Sequence, residues 1–523
     1  MDHQDGRGAA GTGSYMARVL VIGGGIAGTT AALALRKAGL DVVVYEAHPD
    51  SAEDIGAFLT LASNGMRALA QLDASAAVGA AGFPLTSMRV LDDSGAQVAQ
   101  VPLGEANDPP LRYRCLRRGE LNTALQEEAR RRGIDIRHGT RLAGVEESPA
   151  GVTVRFTDGS TDSGDLLLGA DGLNSTVRTT FAPEVRPVYA GQRVFYGYVG
   201  GRGGAGAEPS ADPESVTSAD PDPVTSADPD PGTSADPDSV ISAEAAPVTS
   251  ADPAPAASAH PAPAASADPA SSTSASSPAS ADDARITMVR GSAVAFGYAV
   301  SPAGETFWFA RVAGDPLSAE ELAQGTPADW REQLVPLLRK DTTPAADLVV
   351  ATSDELMVTN ATEIPTGTRW RSGRTLLIGD AAHAASPATG QGASMAMEDA
   401  VILAKCLRDA PDTDSALSLY ETLRRPRVEH NITVSGNISR GAQAPSRPGA
   451  EGAPSRPGAG GPPPRPAPSA PPTRPDKAAP PNRPDPSAPP TRPGPPAPPS
   501  RPGEDDLVRH LDWDTDIWAP KGC

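Results

Sequence analysis

The stretch "ARVLVIGGGIAGTTAALALRKAGLDVVVYEA", from Ala17 to Ala47, decides the fold. Arg18 to Ile22 is apolar and β-branched, as a strand buried on both faces of a parallel sheet must be. Gly23, Gly25 and Gly28 follow as G-x-G-x-x-G, with Ala27 inside the loop. Ala31, Leu33, Ala34 and Leu35 give a helix an apolar face, and Gly39 stops it. "DVVVYE" is a second strand ending at Glu46. In this arrangement the first glycine permits the tight turn and the second brings backbone close to a pyrophosphate. The third lets helix pack on strand, and the helix N-terminus offers unpaired N–H groups to the phosphates. Glu46, 18 residues after Gly28, stands where a carboxylate accepts hydrogen bonds from a ribose. The motif predicts a dinucleotide site without saying which dinucleotide.

Two later stretches repeat the theme. "DLLLGADGLNSTVR" (165–178) is a short apolar strand, a Gly-Asp-Gly turn and a helix start at Asn174 or Ser175. "TLLIGDAAHAASPATGQGASMAMEDAVILAKCL" (375–407) is a buried strand ending at Gly379-Asp380, a glycine-studded loop and a long helix. Gly390 and Gly392 bare backbone N–H groups ahead of that helix, whose N-terminus attracts negative charge.

Together "GGGIAG", "GADGLNSTVR" and "GDAAHAASPATGQGASMAMEDA" resemble the FAD-dependent aromatic hydroxylases, the single-component group A flavoprotein monooxygenases. The resemblance covers about 17–200, 284–439 and a tail near 505–518. It implies a glutathione-reductase-type, Rossmann-like α/β FAD-binding domain and a middle antiparallel β-sheet that carries substrate. It implies that Gly23, Gly25, Ala27, Gly28 and Glu46 meet the ADP half of FAD. It further implies that Arg118 in "RRGELNTAL" contacts FAD, although Arg117 blurs the register, and that the backbone at Leu142 meets adenine. Asp171 matches the middle motif's acid and Asp380 the ribityl ligand. Pro387, Gly390, Gln391, Gly392 and Ala393 are expected to frame the flavin ring, with His383 beside it but not assigned as a base. The implied chemistry needs NADH or NADPH as transient electron donor, O2, and a flavin C4a-hydroperoxide that passes one oxygen atom to a small organic substrate by hydroxylation or epoxidation. An FAD oxidoreductase without oxygen insertion, and a non-catalytic flavoprotein scaffold, stay open as alternatives.

Composition sets the domain plan. Of 523 residues, 52 are Gly and 56 are Pro, most of the proline in two tracts. In 201–283 a Ser-Ala pair recurs every eight residues, typically as "TSADPDPV"; in 441–503 an Arg-Pro pair recurs every nine. Neither carries an apolar face to bury, so both are expected to be disordered. The tracts carry −13 and +5 of the net −20, which leaves a mildly acidic body of −12 and gives no sign of nucleic-acid binding. Cys115, Cys406 and Cys523 have no paired or metal-like spacing. No metal and no membrane span are expected, and without a signal segment the expected location is cytoplasmic. The reading divides the chain into an N-terminal extension (1–15) and an FAD-binding part (16–185) that lends strands near 83–115 to the substrate domain. A substrate domain (186–350), the rest of the FAD-binding domain with C-terminal helices (351–440), the Arg-Pro tract and a tail (504–523) follow.

"AGQRVFYGYVGG" and "ARITMVRGSAVAFGYAVSPAGETFWFARV" alternate as strands, and the first repeat tract is expected to interrupt this sheet between adjacent strands, as a hairpin extension. Phe58, Tyr196, Tyr198, Phe296 and Phe307, with Tyr298 and Trp308, are the substrate-pocket candidates. Alternation sends only one parity inward, so part of this set must face away.

Overall fold

The strand Arg18–Ile22 lies inside a six-stranded sheet, and its four apolar residues, Val19 to Ile22, are buried. The computed structural model describes residues 17–51, 57–200, 284–352, 355–441 and 504–518. The N-terminal extension, both repeat tracts and Cys523 therefore lie outside the described residues, apart from Gly441. The sheet order is Arg371–Ser372, Thr375–Leu377, Leu166–Gly169, Arg18–Ile22, Asp41–Tyr45, Asp135–Arg137. All neighbours are parallel except the first pair, a short hairpin. The helix Ile26–Lys37 starts where the glycine loop ends and closes with Gly39 at φ +86°. Its buried run from Gly28 to Leu35 packs between the sheet and the helix Gly392–Asp409.

The second large sheet has seven strands in the order Met357–Glu363, Val188–Val199, Thr306–Ala313, Val294–Val300, Arg285–Arg290, Ser87–Leu91, Gln97–Pro102. It is antiparallel except where Arg285–Arg290 runs parallel to Ser87–Leu91. Of the strands near 83–115, two join this sheet; Tyr113–Arg117 instead forms the centre of a small three-stranded sheet beneath it, paired with Phe58–Leu61 on one side and Phe83–Leu85 on the other.

One expectation is corrected here. The strands flanking the first repeat tract, Val188–Val199 and Arg285–Arg290, are not adjacent: two other strands separate them. The connection is a crossover, not a hairpin. Pairing puts Val199 opposite Thr306, Val300 opposite Thr306 and Ile286 opposite Ala299, so the chain leaves and re-enters the sheet at one end. Three strand spacings of roughly 4.8 Å then separate exit from entry, about 14 Å.

The helices Pro327–Leu338 and Ala345–Val350 cover one face of this sheet, burying Phe195, Phe296, Trp308 and Ala310 beneath Trp330, Leu334, Leu338 and Val349. The opposite face turns toward the small sheet and the nucleotide lobe. The C-terminal segment returns to that lobe. Leu507, Leu511 and Ile517 enter the main core. Lys405 Nζ donates to the Asp512 carbonyl, Arg408 Nη1 donates to the Trp513 carbonyl at 2.7 Å, and Ile517 N–H donates to Asp409 at 2.9 Å.

Candidate functional site

The first glycine loop is shaped by contact. Gly23 has φ +105°, and a Cβ there would stand 2.4 Å from the Ala170 carbonyl oxygen. A Cβ on Gly28 would stand 1.9 Å from the Gly23 carbonyl oxygen, so the helix lies against the turn more closely than any other residue allows. Gly25 differs: among the described residues nothing lies within 4 Å of where its Cβ would be. Glu46 accepts from Gly24 N–H at 2.6 Å and from His48 N–H at 2.7 Å. The carboxylate braces the loop with two of its roughly four lone-pair positions. Gln126 and Thr29 donate to the Gly24 carbonyl at 2.8 and 2.9 Å.

The middle motif abuts this loop. Asp171 Cα is 3.0 Å from the Cβ position of Gly23. Its carboxylate accepts from Ser175 Oγ at 2.5 Å and Val177 N–H at 3.0 Å, and so caps the helix Thr176–Phe181. Burial raises its pKa against those bonds.

The third loop closes on the first. Gly379, at φ +56°, packs so tightly on the helix start that its Cβ would stand 2.7 Å from the Ala27 Cβ and 3.5 Å from the Ala396 Cβ. The N-termini of the helices Ile26–Lys37 and Gly392–Asp409 are thus neighbours. Neither has a side-chain cap, and the Cβ position of Gly392 also meets nothing within 4 Å. Asp380 is exposed at the start of the short helix Asp380–His383. Pro387 opens a 3₁₀ turn that Gly390 ends at φ +65°. Asn64 donates to Gln391 at 3.2 Å, and Ala62 N–H donates to Ser394 Oγ at 3.1 Å, which ties the loop to the chain beside Phe58. Ala393 is half-buried at the helix start, packed against the main core. Leu142 is buried in the main core, so only its backbone can meet a ligand.

The third loop hangs on buried charge. Arg424, fully buried, donates to Asp399 and to Glu398, each at 2.7 Å. Asp399 also accepts from Gly379 N–H at 3.1 Å and meets His383 Nε2 at 2.5 Å. Arg427 forks onto Glu398 at 2.8 and 2.7 Å. Burial pushes the Asp399 carboxyl upward, but His383 and Arg424 outweigh it and hold it at about 2. His383, 5 % exposed and packed on Trp370, is a strut of this network rather than a group facing substrate.

The two adjacent arginines have different surroundings. Arg117 pairs with Glu305 at 2.5 Å and lies 3.8 Å above the Tyr198 ring, so the seven-stranded sheet consumes it. Arg118, at the start of the helix Arg118–Arg131, is exposed and has no ion-pair partner among the described residues.

On the inner face of the seven-stranded sheet, Phe58 meets Phe307 at 5.6 Å and Tyr196 and Tyr198 at 6.3 Å each. Burial raises the pKa of both tyrosines to about 12. Phe296 is corrected: it lies on the opposite face, stacked 5.5 Å from Trp308 beneath the covering helices. Trp308, which donates to Thr352 at 2.8 Å, and Tyr298 share that outer face. Phe309 and Met357 join the inner face instead; the period-two run Phe307, Phe309, Arg311 signals this once Phe307 is placed. Gln126 and Asn64, which brace the two loops, give no sequence signal, because their partners are backbone or side chains remote along the chain.

A dinucleotide-type lobe whose two glycine loops touch, set beneath an aromatic sheet face, is the arrangement of an FAD-dependent oxidoreductase. Residues 16–190 and 272–435 match the family described as FAD binding domain, and the chain belongs to it. An aurachin C monooxygenase/isomerase from Stigmatella aurantiaca is 28 % identical over 424 residues, 81 % of this chain and 88 % of the relative. A 3-amino-4-hydroxybenzoate 2-monooxygenase from Streptomyces cremeus is 28 % identical, covering 79 % of this chain and 84 % of the relative. The structure of Klebsiella pneumoniae HpxO complexed with FAD and uric acid matches with a TM-score of 0.59 at 25 % identity, over 82 % of this chain and 90 % of that one. This protein is an FAD-dependent monooxygenase of the aromatic-hydroxylase type. No helix among the described residues is long and apolar enough to cross a membrane, and those residues hold no metal-ligating cluster.

Proposed function

We propose that this enzyme uses NADH or NADPH and O2 to insert one oxygen atom into a small aromatic molecule: substrate, O2, NAD(P)H and a proton give the oxygenated product, NAD(P)+ and water. The observation that carries this reading is the contact of Gly379 with Ala27, which lets one extended FAD run from the first loop to the third. The open Cβ positions at Gly25 and Gly392 fit a phosphate chain and a ring lying against bare backbone. We assign Gly23, Gly25, Ala27, Gly28, Glu46 and the backbone at Leu142 to the ADP half. Asp171 positions the turn beside it, while Asp380 and Arg118 reach the FAD from the middle. Pro387, Gly390, Gln391, Gly392 and Ala393 frame the ring. The FAD-binding domain is then 16–185 with 351–440, and the substrate domain 186–350.

When bound, FAD supplies the redox chemistry, through the C4a-hydroperoxide that the family resemblance implies. The chain's own residues orient the substrate and exclude water. Phe58, Tyr196, Tyr198 and Phe307 form an apolar wall against which an aromatic ring stacks. Relatives named for urate and for an aminohydroxybenzoate support a ring of that size.

The test is turnover. NADH or NADPH should bleach the yellow protein, air should restore the colour, and a product heavier by one oxygen should appear across a panel of aromatic metabolites. Reduced flavin that persists in air sinks the proposal. Asp380→Ala should lose most bound FAD; occupancy equal to wild type removes Asp380 from the site.

A further inference from the structure

Arg311 is a buried cation with no anion beside it among the described residues. It follows Phe307 and Phe309 at period two on the inner sheet face and is 9 % exposed. Its Nη1 donates to the Ala388 carbonyl at 3.3 Å, in the turn opened by Pro387. Its Nε is buried with no partner. Among the described residues no carboxylate lies within ion-pair distance of it. Two other buried arginines show what is missing. Arg424 is answered by Glu398 and Asp399, and Arg178 by the carbonyls of Ala381, Leu173 and Val185. Removing a guanidinium from water without such partners is unfavourable, and burial pushes its pKa down.

The surroundings complete a subsite. Val194 pairs with Arg311 and Tyr196 with Phe309, so Tyr196 is the diagonal neighbour on the same face. The Arg311 guanidinium lies 5.7 Å from the Phe309 ring centroid. With Nη1 given to Ala388, the Nε–Nη2 edge remains, and that edge binds a planar oxyanion through two parallel hydrogen bonds.

Building on the monooxygenase reading, we propose that Arg311, flanked by Tyr196, is the specificity-determining residue that binds a carboxylate or phenolate oxygen of the substrate beside the 387–389 turn. The aromatic body of such a substrate extends along Phe58 and Phe307. The enzyme therefore selects acidic aromatic molecules over neutral ones of the same shape.

The experiment is binding to the oxidised, FAD-loaded full chain, followed by flavin absorbance and calorimetry. The probes are benzoate and salicylate, each against its neutral amide. Wild type should bind at least one acid about tenfold or more tighter than its amide, one charge-assisted fork being worth at least that. Arg311→Gln should abolish the preference with FAD occupancy unchanged, and Arg311→Lys should restore part of it. Equal binding of acid and amide, no saturable binding of either acid, or a preference that survives Arg311→Gln each overturns the proposal. Loss of FAD from Arg311→Gln also overturns it, by moving the residue's role to the flavin. An intact acid preference in a protein that never oxygenates a substrate would sink the monooxygenase reading alone.

Discussion

The two glycine loops meet at one place but are built by different physics. The first, Gly23 to Gly28, is held by shape: backbone stands where side chains would have to be, and one carboxylate, Glu46, braces it from the edge. The third, Gly379 to Gly392, is held by charge. Its anchors are Asp399 and Glu398, both fully buried and both tied to Arg424 on the helix Thr413–Ser439. A loop set by steric exclusion has one conformation and fails when an atom is added. A loop set by buried ions fails when a charge is removed. The first-loop end of the proposed cofactor site is thus a mould, and the third-loop end is suspended on a network that reaches the helix Thr413–Ser439.

Three substitutions separate these regimes, in falling order of effect. Arg424→Gln leaves two buried carboxylates facing each other and should cost about 3–5 kcal/mol in urea denaturation; a loss below about 1 kcal/mol would mean that water already reaches the network. Gly28→Ala gains helix propensity of about 1 kcal/mol, yet its methyl meets a backbone oxygen at 1.9 Å. Overpacking should win, with a net loss of roughly 1–3 kcal/mol and colourless protein; normal stability would show that the turn yields. Gly25→Ala meets no protein atom, so stability measured without added FAD should stay within about 0.5 kcal/mol of wild type, while FAD affinity falls at least about tenfold as the methyl enters the phosphate cradle. Unchanged affinity would show that the pyrophosphate does not approach there.

The same contrast explains what the sequence discloses. Gly23, Gly28 and Gly39 are legible because a positive φ or a close approach constrains residue type locally, and the expected strand–turn–helix stands at Arg18–Lys37. Ser175 is likewise found as the cap of its helix. The charge network is not legible: Arg424 and Asp399 are 25 positions apart on different helices, and burial alone distinguishes Arg424 from neighbouring Arg425. Parity in the substrate sheet fails for a related reason. Alternation separates Phe296 from Ala299 but does not say which faces the nucleotide lobe, since both faces are buried. Strand order is more remote still, which is why a crossover passes for a hairpin. Arg311 sits in plain view in "FWFARV", but a lone arginine at a strand end gains meaning only when its neighbours are seen to offer it no anion.

The docking of residues 504–518 alters how the long Arg-Pro stretch should be regarded. Both of its ends are fastened to the folded body, at Ser439 on one side and through Leu507, Leu511 and Ile517 on the other. Three buried aliphatic side chains, each contributing about 1.5–3 kcal/mol, together with the bonds to Lys405, Arg408 and Asp409, hold the last segment without help from the covalent link. A single protease cut between 441 and 504 would thus leave a nicked enzyme still assembled from two pieces, a ready-made split point for reconstituting it from separately expressed halves.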